Sequence, residues 1–251
     1  MSEKPAERVS INRELQRAVA ALTLVTVMAF GLFVVTYDYL GLRLLAHLDR
    51  SLGEVMMKEG MQYQQAGATE NAKERYTAAL ESRFAGEQNR IYTLKLLGTM
   101  WWSEGAYDKA VPLLREAAES PHAEMTFFEP YVDALLHLGR LDEAATALER
   151  WQKSIAKKND QTLMAAAKFQ EGKLAQARQD AAGARRAFEE GAMLEPGGRN
   201  AAELAVIQYD AGELAEALRN IDAYLAAGGG ARGEQLRALR ARIAATLPAA
   251  N

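Results

Sequence analysis

The stretch Gly98-Thr-Met-Trp101-Trp102-Ser-Glu-Gly105-Ala-Tyr107-Asp-Lys-Ala110 constrains this chain more than any other. It sets small residues and large aromatics at the intervals that two closely packed helices require. With residues 91–124 read as one helix-turn-helix unit, Gly98 and Ala110 fall where the helices press closest. Trp101 fills the gap between them, and Gly105 permits the tight turn. One such unit cannot bury its apolar face alone, so copies must flank it.

Copies occur from Gly53 onward. The first holds Gly60, Tyr63, Gly67, Ala72, Tyr76 and Ala79. The second holds Leu97, Gly98, Trp101, Gly105, Ala110, Leu114 and Ala117, followed by Pro121 where its second helix must stop. This order of small, aromatic and turn residues resembles that of tetratricopeptide repeats, helix pairs of about 34 residues. The resemblance covers most of the chain after Leu48 and implies an all-α fold of about five helix hairpins over 53–231.

The third copy, 125–158, keeps Gly139, Leu141, Ala144 and Leu148, but has Val132 in the first small slot and Trp151 in a slot that is usually small. The fourth, 165–198, keeps Gly172, Ala184, Phe188, Gly191 and Pro196, with Gln179 in place of the turn glycine. The fifth, 198–231, keeps Gly212, Leu214, Ala217 and Ile221. Its Gln208 stands where an aromatic is expected and Tyr209 follows, which suggests a slight rotation of that helix. After Gly228-Gly229-Gly230, read as a flexible connection, the segment 232–251 supplies a capping helix and tail. Leu236, Leu239, Ile243 and Leu247 share one face there, and Pro248 ends the helix. Pro112 and Pro130 are expected near helix starts, where a missing N–H has no partner to lose.

Ahead of the repeats, 1–17 is polar and reads as a cytoplasmic tail. From Ala18 to Tyr37 there is no charged residue, a run that covers roughly 30 Å as a helix and matches the bilayer core. A transmembrane helix is predicted over 18–42, joined by a juxtamembrane connection over 43–52. A cleavable signal peptide competes with this reading, but its apolar region usually spans about 7 to 15 residues. Gly31 has no small partner four residues away, so the span carries no close-packing dimer motif.

Lys4, Arg8, Arg13 and Arg17 precede the run, whereas Arg43 and Arg50 follow it. That bias keeps the N-terminus in the cytoplasm and exports the repeats to the periplasmic side of an inner (plasma) membrane. Tyr37 and Tyr39 suit the far interface. Leu40, Leu42, Leu44, Leu45 and Leu48 extend an apolar stripe, either along the membrane or against the first repeat.

A formal net charge of −3 gives no argument for nucleic acid, and the absence of cysteine removes thiol chemistry. His47, His122 and His137 are scattered, so no metal site is expected. Residues 228–233 are glycine-rich but follow a helix and lack the Lys-Ser/Thr ending of a phosphate loop. No serine-nucleophile motif occurs, and neither an enzyme, a cofactor nor a small-molecule substrate is expected. Arg232, Arg237, Arg240 and Arg242, like Arg185 and Arg186, read as a solvated surface or as contacts for headgroups or an acidic partner.

The resemblance further implies a concave groove lined by the first helix of each pair, which takes protein or peptide partners. By register, the first repeat contributes Met57, Met61 and Gln64, and the second Tyr92, Lys95, Thr99 and Trp102. The third adds Glu129 and Asp133, the fourth Phe169, Lys173 and Gln176, and the fifth Arg199 and Tyr209. No Asn accompanies Lys95 and Lys173 to complete the set with which some family members hold a C-terminal carboxylate. Trp102 has two readings, as a binding anchor or as packing on the next repeat. The expected role is a membrane-anchored scaffold at the bacterial cell envelope. A cytoplasm-facing accessory or regulatory subunit of a membrane complex is the alternative.

Overall fold

Pro5 is the first described residue of a long helix, and no further proline interrupts the chain before Pro112. The computed structural model describes residues 5–121 and 123–246, and the side chains of 16–36, 51–121 and 123–246. Within it, α1 (Pro5–Gln65) runs unbroken for 61 residues, about 90 Å at the α-helical rise. The tail from Pro5, the apolar span, the juxtamembrane connection and the first helix of the first repeat are thus one element. Its section Gln16–Thr36 has a mean hydropathy of 2.5, is long and apolar enough to cross a membrane, and is exposed along its length. The side chains of Tyr37, Tyr39, Leu40, Leu42, Leu44, Leu45 and Leu48 lie outside the described residues.

The rest is a series of antiparallel hairpins. The end of α1 pairs with α2 (Thr69–Glu81), α3 (Glu87–Ser103) with α4 (Tyr107–Glu119), and α5 (Phe128–His137) with α6 (Leu141–Ala156). Next, α7 (Gln161–Ala177) pairs with α8 (Ala181–Leu194), and α9 (Arg199–Asp210) with α10 (Leu214–Ala226). A final helix, α11 (Gly233–Thr246), packs on α10. The described residues contain no strand.

One register generates all five hairpins. A residue in the first helix (Gly60, Gly98, Val132, Gly172, Ala205) is followed seven positions later by a residue in the left-handed region: Gly67, Gly105, Gly139, Gln179 and Gly212, with φ from +61° to +79°. Five positions further comes a buried alanine (Ala72, Ala110, Ala144, Ala184, Ala217), and four beyond it a large buried side chain (Tyr76, Leu114, Leu148, Phe188, Ile221). A Cβ on Gly60 would stand 2.6 Å from the Tyr76 ring, and one on Gly172 would stand 2.4 Å from Phe188. Gly98 meets the aliphatic Leu114 almost as closely, a Cβ there standing 2.8 Å from Leu114 Cγ, whereas the third and fifth copies carry Val132 and Ala205 in the same slot.

The two atypical copies keep this register. In the third, Trp151 is fully buried and lies nearly parallel to Phe128, with ring centroids 6.4 Å apart. In the fifth, Gln208 is buried and accepts a hydrogen bond from Asn220 Nδ2 at 2.8 Å. That bond satisfies a polar side chain in an aromatic slot, and no rotation of α9 is needed.

Two local expectations are corrected. Pro112 is the sixth residue of α4, beyond the turn whose N–H groups lack partners, so it does interrupt the helical hydrogen bonding. It does so on the exposed face, while Val111 and Leu114 beside it remain buried. Residues 228–230 form a hydrogen-bonded turn instead of a loose link: Gly229 N–H donates to Tyr224 O at 3.0 Å, and Arg232 N–H donates to the Tyr224 hydroxyl at 3.3 Å. Pro130 falls in the first turn of α5. Leu236 and Ile243 of α11 are buried against Ile221 and close the end of the stack, while Leu247 and Pro248 lie outside the described residues.

The junction between α1 and the hairpins is fastened. Gly53 N–H donates to Arg83 O at 2.9 Å, and a Cβ on Gly53 would meet the Phe84 ring at 2.8 Å. Glu54 Oε1 accepts the N–H groups of Ala85 and Gly86 at 2.8 and 3.2 Å, ahead of the first turn of α3. Burial pushes the Glu54 carboxyl up, but the backbone donors outweigh it, so the group lies below its ordinary value.

Gln179 holds a left-handed conformation that costs a side-chain-bearing residue roughly 1–2 kcal/mol, part of which glycine returns as unfolded-state entropy. Gln179→Gly is therefore expected to stabilise the domain by about 0.5–1 kcal/mol, and Gly212→Ala to destabilise it by about 1 kcal/mol, read by chemical denaturation. The Tyr76 hydroxyl is expected to titrate late, since burial and then the neighbouring Tyr92 push it up to about 12. A folded pKa above the unfolded value of about 10 means that the stability is complete below about pH 10 and is lost as pH rises toward 12. Phenolate absorbance should show one late proton, absent in Tyr76→Phe.

Candidate partner-binding groove

The first helices of successive hairpins lie side by side: the end of α1 against α3, α3 against α5, α5 against α7, and α7 against α9. Positions that point away from the second helices therefore share one inner face.

The expected groove residues divide by what they touch. Met57 is buried in the core of the first hairpin and Met61 packs against that core, so Met57 offers no surface. Gln64 Oε1 accepts the Tyr76 hydroxyl at 2.8 Å. Lys95 donates to Thr126 Oγ1 at 3.3 Å and lies over the rings of Tyr92 and Phe127. The hydroxyl of Thr99 is buried without a partner.

Trp102 is half-buried and donates its indole N–H to Asp133 Oδ2 at 2.7 Å, tying α3 to α5. The same carboxylate oxygen lies 3.3 Å from His137 Nδ1, and His137 stacks on Tyr107 with centroids 4.3 Å apart. Trp101 is also half-buried. It joins the cores of the first and third repeats and stands between two cations, Lys73 at 4.2 Å and Lys109 at 4.4 Å from its centroid. Its slot is a seam between repeats, not the interior of one.

Glu129 on α5 pairs with Arg199 on α9 at 2.5 Å, and on the way Arg199 passes 4.3 Å over the Phe169 ring of α7. One face of Phe169 is thus covered, and its ring also meets Phe188 at a tilt. Beside this strap, Asp133, Leu136, His137, Lys173, Gln176 and Ala177 line a recess between α5 and α7. At the far end, Tyr209 accepts Arg242 Nη2 at 2.8 Å through its hydroxyl and receives the same guanidinium over its ring.

Thr126, Leu136 and His137 also border this face, although register does not single them out, while Phe127 beneath Lys95 is buried in the core. In the sequence His137 reads only as one of three scattered histidines. Its position four residues after Asp133 is the signal that brings it to the groove. Among the described residues, no three His, Asp or Glu side chains converge to hold a metal; His122 and the His47 side chain lie outside them.

The basic side chains near the C-terminus are mostly occupied. Arg232 pairs with Glu203 at 2.7 Å and Arg240 with Asp222 at 2.6 Å. Arg185 forks onto Glu213 at 2.7 and 2.8 Å; these bonds, with Glu189 next, raise the guanidinium above its ordinary value and lower the Glu213 carboxyl.

No family model and no curated protein matches this chain. Solved structures do. PilF of Pseudomonas aeruginosa aligns over 76% of this chain and 82% of its own at a TM-score of 0.60 and 21% identity. MamA of Desulfovibrio magneticus aligns over 68% and 91% at 0.55 and 14%. TTC0263, a thermophilic tetratricopeptide-repeat protein of Thermus thermophilus, aligns over 76% and 98% at 0.55 and 17%. At these identities the likeness speaks for fold alone. Five hairpins in one register, a closing helix and these neighbours identify the chain after α1's apolar section as having the tetratricopeptide-repeat fold.

Proposed function

We propose that this protein is a membrane-anchored scaffold that holds protein partners in the inner face of its repeats, in an assembly or accessory role at a bacterial cell envelope. The observation that carries the reading is the continuity of α1, whose exposed apolar section runs without a break into the first helix of the groove. The hydroxyls of Thr23, Thr26 and Thr36 support an anchor, because each donates to the carbonyl four residues earlier at 2.8–2.9 Å. Hydroxyls in hydrocarbon need such internal partners. The basic residues ahead of the span favour export of the repeats. Tethering raises the effective concentration near membrane targets, so a shallow groove suffices. The proposal gives the groove a binding role and no catalytic one.

A photo-crosslinking amino acid at Gln176, in the native membrane, is expected to capture a discrete protein partner, identified by mass spectrometry. One placed at Arg150 on the opposite side should not; equal capture from both positions refutes the groove. Protease added outside the inner membrane is expected to digest the repeats. Protection there, with digestion from the cytoplasmic side, selects the cytoplasm-facing accessory subunit instead.

Trp102→Ala is expected to weaken that capture with a smaller change in melting temperature than Trp101→Ala, because its ring packs on one core only and loses one hydrogen bond. Trp101→Ala should cost about 3 kcal/mol, because its ring abuts two cores. Equal destabilisation by the two substitutions removes Trp102 from the binding face.

A further inference from the structure

The charges of the inner face are satisfied unevenly. Two of its acids are engaged, Glu129 by Arg199 and Asp133 by Trp102 and His137. Three of its cations meet no carboxylate among the described residues. Lys95 has only Thr126 and two ring faces, Arg242 has only Tyr209, and Lys173, half-buried beside the α5–α7 recess, makes no hydrogen bond or ion pair. Asp210, exposed at the last residue of α9, and Glu124, exposed two residues before Thr126, likewise carry no ion pair among the described residues. Some cations off this face pair with carboxylates, as in Arg115–Glu143, Lys168–Glu190 and Arg178–Asp142, and others, such as Lys109 and Arg186, do not. With 33 acids to 30 bases overall, the chain carries no excess of cations, so the row of cations on this face is not set by composition.

We infer that the groove takes an extended acidic segment of a partner protein and reads its side-chain carboxylates one at a time along the row; this rests on the groove reading above. The three cations sit on α3, α7 and α11, so they do not converge on a single terminal carboxylate. Neighbouring helices pack about 8–10 Å apart, which places the Lys95 and Lys173 backbones roughly 16–20 Å apart across α5. An extended chain covers that distance in about five or six residues at 3.3–3.6 Å each. The recess between α5 and α7, floored by Leu136 and Ala177, accepts an uncharged side chain between the two carboxylates. Each carboxylate gains a charge-assisted hydrogen bond from a cation that is already partly desolvated.

The test uses the full chain in lipid nanodiscs and fluorescence anisotropy with three labelled, C-terminally amidated peptides of one length. They carry two Glu about six residues apart, two Gln, or two Lys at the same places. The Glu peptide is expected to bind about tenfold more tightly than the Gln peptide at low salt, with the difference shrinking as salt rises. Lys95→Gln combined with Lys173→Gln should erase the preference at an unchanged melting temperature. Should that variant fold poorly, the salt dependence of the wild-type preference decides. Equal binding of the Glu and Gln peptides, preference for Lys, or no binding of any peptide at millimolar concentration overturns the acidic reading. The groove reading stands or falls separately, on whether crosslinks from Gln176 capture a partner.

Discussion

The close approach of two helices within each hairpin is the constraint on which this structure rests. A slim residue on the first helix, an alanine on the second and a left-handed residue between them bring the backbones near enough for one large side chain to fill the contact. Gly60 under Tyr76 and Gly172 under Phe188 are the tightest versions. Val132 with Leu148 and Ala205 with Ile221 show that the slot also takes a larger residue, although Gly98 against Leu114 is nearly as tight as the aromatic pairs. Because every hairpin turns at the same place in this register, the hairpins stack in series and their first helices form one continuous face.

The second organising feature is α1. A helix that belongs both to the apolar span and to the first hairpin leaves no flexible joint of its own between that span and the repeats. The contacts of Gly53 with Arg83 and Phe84, and the Glu54 carboxylate ahead of α3, fasten this helix to the second hairpin as well. Any load on the repeats therefore reaches the apolar section through hydrogen-bonded backbone.

The inner face is not an empty surface awaiting a ligand. Arg199 crosses α7 to reach Glu129, Trp102 ties α3 to α5, and Arg242 lies on Tyr209. Contacts between half-exposed charges are individually weak, with Arg199 and Glu129 at 40% and 31% exposure, so a partner can displace them at little cost. A repeat protein in which most contacts join nearest neighbours gains from Arg199 a link two repeats long, which restrains curvature across the third to fifth hairpins.

Hairpin number, turn positions and buried alanines were legible in the sequence because they follow from local backbone geometry and volume. A left-handed turn wants glycine, and a close approach wants a small side chain, wherever in a chain they occur. Even Gln179, the exception, adopts the turn conformation its position dictates, with φ of +61°. The groove was legible only as a set of positions. Whether Met57 points into the core, whether Trp102 spends its N–H on Asp133, and whether Lys173 finds a carboxylate depend on side chains brought together from different repeats. Register alone says which face a residue shares; the lateral packing of α3, α5, α7 and α9 decides which charges on that face neutralise one another and which remain for a partner.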